Sequence, residues 1–221
     1  MISKRINVSD RIYQIVKQDI LDDVLDFGDT IIEQEFADRL NISRTPIREA
    51  FKRLEVEGIL TRLPNGRIKI IEIDDALVRE IYHIRISLEN VILENILENE
   101  NNCTSEFINK LQKIVDVNER EIQNQEWEDA RKSITTFSKE MLASSNYTVS
   151  SKILDQYNFF LSKLKIKSLA STERIKQAYN DHKEMLELIK SRDILQLQKV
   201  NKRHLMTACQ TIIHQMSESK K

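Results

Sequence analysis

Glycine and proline are scarce in this chain, at three and two residues in 221. Both residues punctuate a chain with turns, and an all-β sandwich or barrel needs a turn roughly every ten residues. That class is excluded, and a mainly helical protein is expected. Cysteine is almost as rare: Cys103 and Cys209 are too few and too unpatterned for a disulfide framework or a zinc module. Aromatics make up 6% of residues, so the core must be largely aliphatic. No stretch approaches the roughly 20 apolar residues of a membrane span. Met1 to Asn7 lacks the apolar run of a signal peptide. No membrane partner and a cytoplasmic location are therefore expected. No sign of charge dominates either, since the net charge is −1. Any nucleic-acid partner must be met by a local patch. A Gly-rich phosphate loop, a His-Glu-x-x-His motif and a convincing nucleophile–base set are all missing, so an enzyme on an all-α fold is only a remote alternative.

What is present centres on Asn41 to Leu60. Ser43 stands where a helix cap would accept a backbone N–H. Pro46 is tolerated in a first turn, where N–H groups have no intrahelical partner. Ile47, Phe51 and Leu54 then form one apolar stripe, while Arg44, Arg48 and Lys52 form a cationic row on another face. A short helix of this kind fits the DNA major groove. Before it, Val8, Ile12, Ile15, Val16 and Ile20 give a first helix, and Glu33 to Leu40 a second. After it, Ile59 to Leu63 and Arg67 to Ile71 read as strands joined by the turn Pro64-Asn65-Gly66. This predicts a winged helix–turn–helix over residues 1–73. Between Arg39 and Ile70 there are eight bases and three acids, the local patch that phosphate contacts require.

The order Ser-Arg-Thr-Pro-Ile-Arg-Glu-Ala from Ser43, followed by Leu54, Glu55, Gly58 and Leu60, resembles the GntR family of bacterial transcription regulators. The resemblance covers about residues 8–72. It implies that Arg44, Thr45 and Arg48 contact operator bases and phosphates. It places Asn65 and Gly66 at the wing tip, where relatives often carry His-Gly, with Arg67 beside them. Gln34 stands where some relatives carry an arginine to the DNA backbone. The expected DNA-binding set is Arg44, Thr45, Arg48, Lys52, Asn65, Gly66 and Arg67.

From Asp74 to Lys221 the chain reads as about six amphipathic helices. This part resembles the FCD ligand-binding domain of the FadR-type branch, over about residues 75–210. The resemblance implies an antiparallel α-helical bundle that holds a central effector cavity and the dimer contact. Many relatives hold a divalent metal there with an Asp and a His four apart on the third helix, then two more histidines. His182 and His204 match the latter two, but Ile134 and Ser138 stand where the Asp and His would be. Two imidazoles alone seldom make a tight site. No cofactor is therefore expected, and a divalent metal is disfavoured. His182 and His204 lie on apolar stripes and point inward. Arg85, partly inward, needs an anionic partner: Glu89 at i+4, or a carboxylate effector. The expected effector residues are Arg85, His182, Asn201 and His204.

The whole predicts a sequence-specific transcription regulator, a homodimer on the inverted repeat of a double-stranded DNA operator. The expected action is repression, released by a small, carboxylate-bearing molecule. A second reading is a DNA-binding regulator whose cavity is degenerate and takes no effector.

Overall fold

In the computed structural model the first helix, α1 (Val8–Leu21), starts at Asn7, whose side chain accepts the Ser9 N–H at 3.4 Å. The structure describes residues 7–218, and all of their side chains except those of Gln156, Asn158, Leu161, Lys163, Lys165, Ile166 and Lys167. Two compact units divide it, Met1–Asp74 and Asp75–Lys221.

In the first unit, Ile12, Val16 and Ile20 of α1 pack inward at helical spacing. A short strand, β1 (Thr30–Ile31), precedes α2 (Glu33–Leu40). Asn41 then closes α2 in the left-handed conformation, φ 52°, which asparagine tolerates, and turns the chain into α3 (Arg44–Val56). The apolar stripe of α3 is fully buried: Ile47, Phe51 and Leu54 are 0% exposed. Phe36 of α2 meets Phe51 edge to face, with ring centroids 5.4 Å apart. Strands β2 (Leu60–Arg62) and β3 (Ile68–Ile70) form the wing, with Leu60 opposite Ile70 and Arg62 opposite Ile68. Gly66, at φ +79°, makes the hairpin turn possible. The sheet has three antiparallel strands in the order β1-β3-β2.

One local expectation is corrected. Ser43 occupies the cap position with extended backbone, but its side chain makes no capping hydrogen bond. Pro46 is the third residue of α3, and it has no N–H to offer at a position such a cap uses.

The second unit is helical: α4 (Asp75–Glu98), α5 (Ser105–Gln123), α6 (Trp127–Ala143), α7 (Thr148–Ser168), α8 (Thr172–Ser191) and α9 (Ile194–Glu218). Short loops join α5 to α6 and α8 to α9, and each pair packs side by side, as antiparallel neighbours do. Thr104 caps α5 by accepting the Phe107 N–H at 3.1 Å, and Ser171 caps α8 by accepting the Arg174 N–H at 3.2 Å. The main core gathers Ile92, Leu93 and Ile96 of α4, Leu111 of α5, Ile189 of α8 and Leu197 of α9. A smaller cluster holds Ala130 and Ile134 of α6 with Ile175 and Ala178 of α8. Val91, which the helical spacing places with the core, is instead 43% exposed. With no glycine in this unit, Gln125 and Arg192 take the left-handed turns after α5 and α8, at φ 62° and 57°. Among the described residues no helix is long and apolar enough to cross a membrane.

Candidate functional site

The N-terminal end of α2, the exposed face of α3 and the wing enclose one groove. Arg44, Arg48, Lys52, Asn65, Gly66 and Arg67 all line it, together with Arg62, Gln34, Glu33 and Glu55. Thr45 is exposed on the first turn of α3 but does not line the groove. Burial of Ile47 and Phe51 on the opposite side of α3 fixes this orientation. The Asn65 side chain accepts the Arg67 N–H at 3.1 Å, which holds the wing tip in its turn.

The arginines do not stand free. Glu33, whose side chain is 11% exposed, accepts Arg48 Nε at 2.8 Å, Arg44 Nη2 at 3.2 Å and Arg62 Nη2 at 3.4 Å. Burial alone would raise this carboxyl, but hydrogen bonds from Arg48 and Arg44 outweigh it and hold it below the ordinary glutamate value. Arg62 also reaches Glu55 at 2.8 Å. Two further bases of the local patch serve the scaffold. Arg53 bonds Asp10 and covers the Tyr13 ring, while Arg39 bonds Asp19 and covers the Phe36 ring. Lys69 pairs with Glu72. The groove lining therefore carries Arg44, Arg48, Lys52, Arg62 and Arg67 against Glu33 and Glu55, still a cationic surface.

The helical unit holds a second concentration of polar chemistry. Arg85 and Glu89 form a buried pair, Nε to Oε1 at 2.5 Å, with the Tyr82 ring beside the guanidinium. His182 is 2% exposed. It stacks on Phe137 at 4.3 Å between ring centroids and lies 4.8 Å from the His204 ring. Ser138 Oγ is 3.5 Å from His182 Nε2. His204 Nδ1 is 3.1 Å from Asp181 Oδ2, so the carboxylate sets the tautomer, with the proton on Nδ1. Arg203 also donates to Asp181, at 2.9 Å. Burial would raise Asp181, but the His204 and Arg203 bonds outweigh it and hold it low. Burial pushes His182 well below its usual value, and the charges of His204, Arg174 and Arg85 push the same way. Burial also lowers His204, against the pull of Asp181. Burial thus disfavours the charged form of both imidazoles. Beside this cluster a cleft of about 1140 Å³ opens between α6 and α7, with Arg85, Glu89, Ile92 and Ser138 in its lining and Lys132, Lys139 and Lys152 along it.

Comparison with known proteins decides what these two sites belong to. Residues 8–70 match the model of the bacterial regulatory proteins of the gntR family, and residues 80–207 match the FCD domain. The chain belongs to the GntR family, in its branch with an FCD domain. This GntR regulator is 24% identical over 209 residues to the HTH-type transcriptional regulator YdhC of Bacillus subtilis, covering 94% of this chain and 92% of that one. It is 23% identical over 168 residues to the gluconate operon transcriptional repressor of Bacillus licheniformis, covering 76% and 67% respectively. The fold of E. coli McbR/YncC superimposes with a TM-score of 0.70 at 17% identity, over 95% of this chain and 99% of that one. The matched families and relatives are transcription regulators.

The metal site that the FCD resemblance implies does not fit the residues of this regulator. Ile134 is an apolar side chain, 4% exposed, and belongs to the smaller core cluster. Ser138 offers only a hydroxyl, against His182. His204 is committed to Asp181 through one nitrogen, and two buried guanidinium groups, Arg85 and Arg174, already press positive charge on both imidazoles. Among the described residues no three His, Cys, Asp or Glu side chains group as metal ligands.

Of the expected effector residues, Arg85 faces the cleft, while His182 and His204 stand ring to ring, with Asn201 one turn before His204 on α9. Sequence reading missed three residues that matter. Glu33 was hidden because an acidic first turn is ordinary helix chemistry. The pairing of Asp181 has no local signal, because its partner His204 is 23 residues away. Arg174 carries no signal in the sequence that sets it apart from a solvated cation, yet it is 4% exposed.

Proposed function

We propose that this GntR-family regulator is a sequence-specific repressor that binds an inverted-repeat operator as a homodimer in the cytoplasm and is released by a small molecule held in its helical unit. The observation that carries the DNA-binding part is the single groove in which α3 and the wing bring Arg44, Arg48, Lys52, Asn65, Gly66 and Arg67 together. Its cations suit phosphates, and the end of α3 that carries Arg44 and Arg48 is the end a recognition helix turns to base edges. One such helix reads only a few base pairs, so affinity and selectivity call for two copies on a palindromic site. The gluconate operon repressor it resembles supports the direction of control.

The open cleft against Arg85 and Ser138 supports small-molecule control over a filled, effector-free bundle. A molecule bound there can shift the operator equilibrium only by its different affinity for the two states of the regulator. Sequencing of genomic fragments bound by the purified protein tests the reading: a shared inverted repeat is expected. Analytical ultracentrifugation showing a stable monomer at micromolar concentration would refute the dimer.

A further inference from the structure

The wing tip has little to hold it. β2 is an edge strand, paired with β3 alone, and a hairpin of two short strands is marginally stable by itself. None of residues 61–67 is buried, and Leu63 is only half-buried. Among the described residues the polar ties from this stretch to the helices run through one side chain, Arg62. Its Nη2 donates to Glu55 Oε1 of α3 at 2.8 Å and lies 3.4 Å from Glu33 Oε1 of α2. Its Nη1 lies 3.5 Å from the Gly66 main-chain oxygen at the turn. A guanidinium carries several N–H donors in a planar fork, so one group can reach α2, α3 and the turn at once. Arg62 is also matched in charge. It is the ion-pair partner of Glu55, and Glu33 adds a second carboxylate. Arg67, on the same turn, makes no ion pair among the described residues and lines the groove. Moving Arg62 onto a DNA phosphate would exchange carboxylates for a phosphate and leave Glu55 unpaired against a polyanion.

We propose that Arg62 is the positioning residue of the wing. Through Glu55 and Glu33 it holds the turn of Asn65, Gly66 and Arg67 against α2 and α3, so that wing and recognition helix meet DNA as one surface. The proposal rests on the reading above, that this groove binds DNA. It gives Arg62 a task other than phosphate contact, which Arg67 performs. A wing held in place before binding loses less freedom when it docks, and the saving appears as affinity.

The test uses the full chain and two readouts. The first is hydrogen exchange of the wing amides without DNA. The Gly66 N–H donates to the Leu63 oxygen and the Leu63 N–H to the Arg67 oxygen, so both report on the turn. They are expected to exchange about threefold faster in Arg62→Ala and in Glu55→Gln, the scale of losing one or two exposed ion pairs. Overall melting should hardly move, because these pairs are exposed. The second readout is fluorescence anisotropy on a mixed-sequence duplex at low salt. Arg67→Ala is expected to weaken binding about fivefold in the wild type, and less than about twofold in either variant background. Glu55→Gln separates the two roles. It keeps the Arg62 cation and removes an acid, so a phosphate-contacting Arg62 would bind DNA more tightly there, with the Arg67 penalty intact. That result would overturn the proposal. So would unchanged exchange in both variants, or an Arg67 penalty that stays near fivefold in both. No penalty for Arg67→Ala in the wild type would do the same, since the wing would then hold nothing against DNA. A wild type that binds no duplex would sink the DNA reading, while the exchange comparison would still decide whether Arg62 holds the wing.

Discussion

Glu33→Gln is the substitution that most directly probes how the groove works. The Glu33 carboxylate accepts hydrogen bonds from three arginines that line the groove, Arg44, Arg48 and Arg62, whose side chains are 49%, 59% and 43% exposed. Pairs that exposed are screened by solvent and yield about 0.2–1 kcal/mol each. The amide keeps part of the hydrogen bonding, so folding stability should fall by only about 1 kcal/mol. The effect on DNA is larger in kind. The groove lining changes from two carboxylates to one, and the freed guanidinium groups are available to phosphates. Neutralising one more phosphate steepens the logarithmic salt dependence by about 0.9, roughly a threefold extra change in affinity over a fourfold change in salt. Affinity for scrambled DNA should rise, and the ratio of operator to scrambled affinity should fall, because the carboxylate no longer aims the arginine forks. Fluorescence anisotropy on both duplexes between low and moderate salt reads all three quantities. An unchanged scrambled affinity with an unchanged salt slope would mean that this carboxylate does not compete with DNA phosphates.

Arg44→Ala and Arg48→Ala should each weaken operator binding by about 1–3 kcal/mol, while Arg67→Ala at the wing should cost less and act equally on scrambled DNA; titrations at fixed salt decide this. Glu89→Gln leaves the Arg85 guanidinium buried without its carboxylate and should destabilise the helical unit by about 3–5 kcal/mol in urea unfolding. Acidification should also destabilise this unit. His182 is held below its ordinary value of 6.5 in the folded state by burial and by His204, Arg174 and Arg85, so the unfolded chain binds more protons and stability falls as pH drops below about 6.5. The loss of melting temperature between pH 7.5 and 5.5 should shrink in His182→Asn; an equal loss in both proteins would show that other groups govern it.

Much of this was legible in the sequence because it is local. The stripe Ile47-Phe51-Leu54 and the turn Pro64-Asn65-Gly66 announce themselves by spacing and residue type, and each lies where the pattern places it. Strand β1 did not, since two residues carry no alternation to read. The partners of charged groups were legible only at helical spacing. Arg85 and Glu89, four apart, could be paired on paper. Glu33 with Arg62 and Asp181 with His204 meet only because tertiary packing brings distant helices and strands together. Arg174 is the same case in reverse: one polar symbol in a sequence does not say that the bundle closes over it.

The left-handed turns at Gln125 and Arg192 carry an engineering consequence. A side chain in that conformation costs about 1–2 kcal/mol per residue, and glycine would remove the cost while giving back roughly 0.5–1 kcal/mol through its greater freedom in the unfolded chain. Each substitution to glycine should therefore raise the thermal ceiling slightly. Both positions lie in loops between helices, and neither lines the cleft of the helical unit. The bundle can thus be hardened at its corners, giving a sturdier protein in which the proposed ligand response can be dissected without touching the cleft.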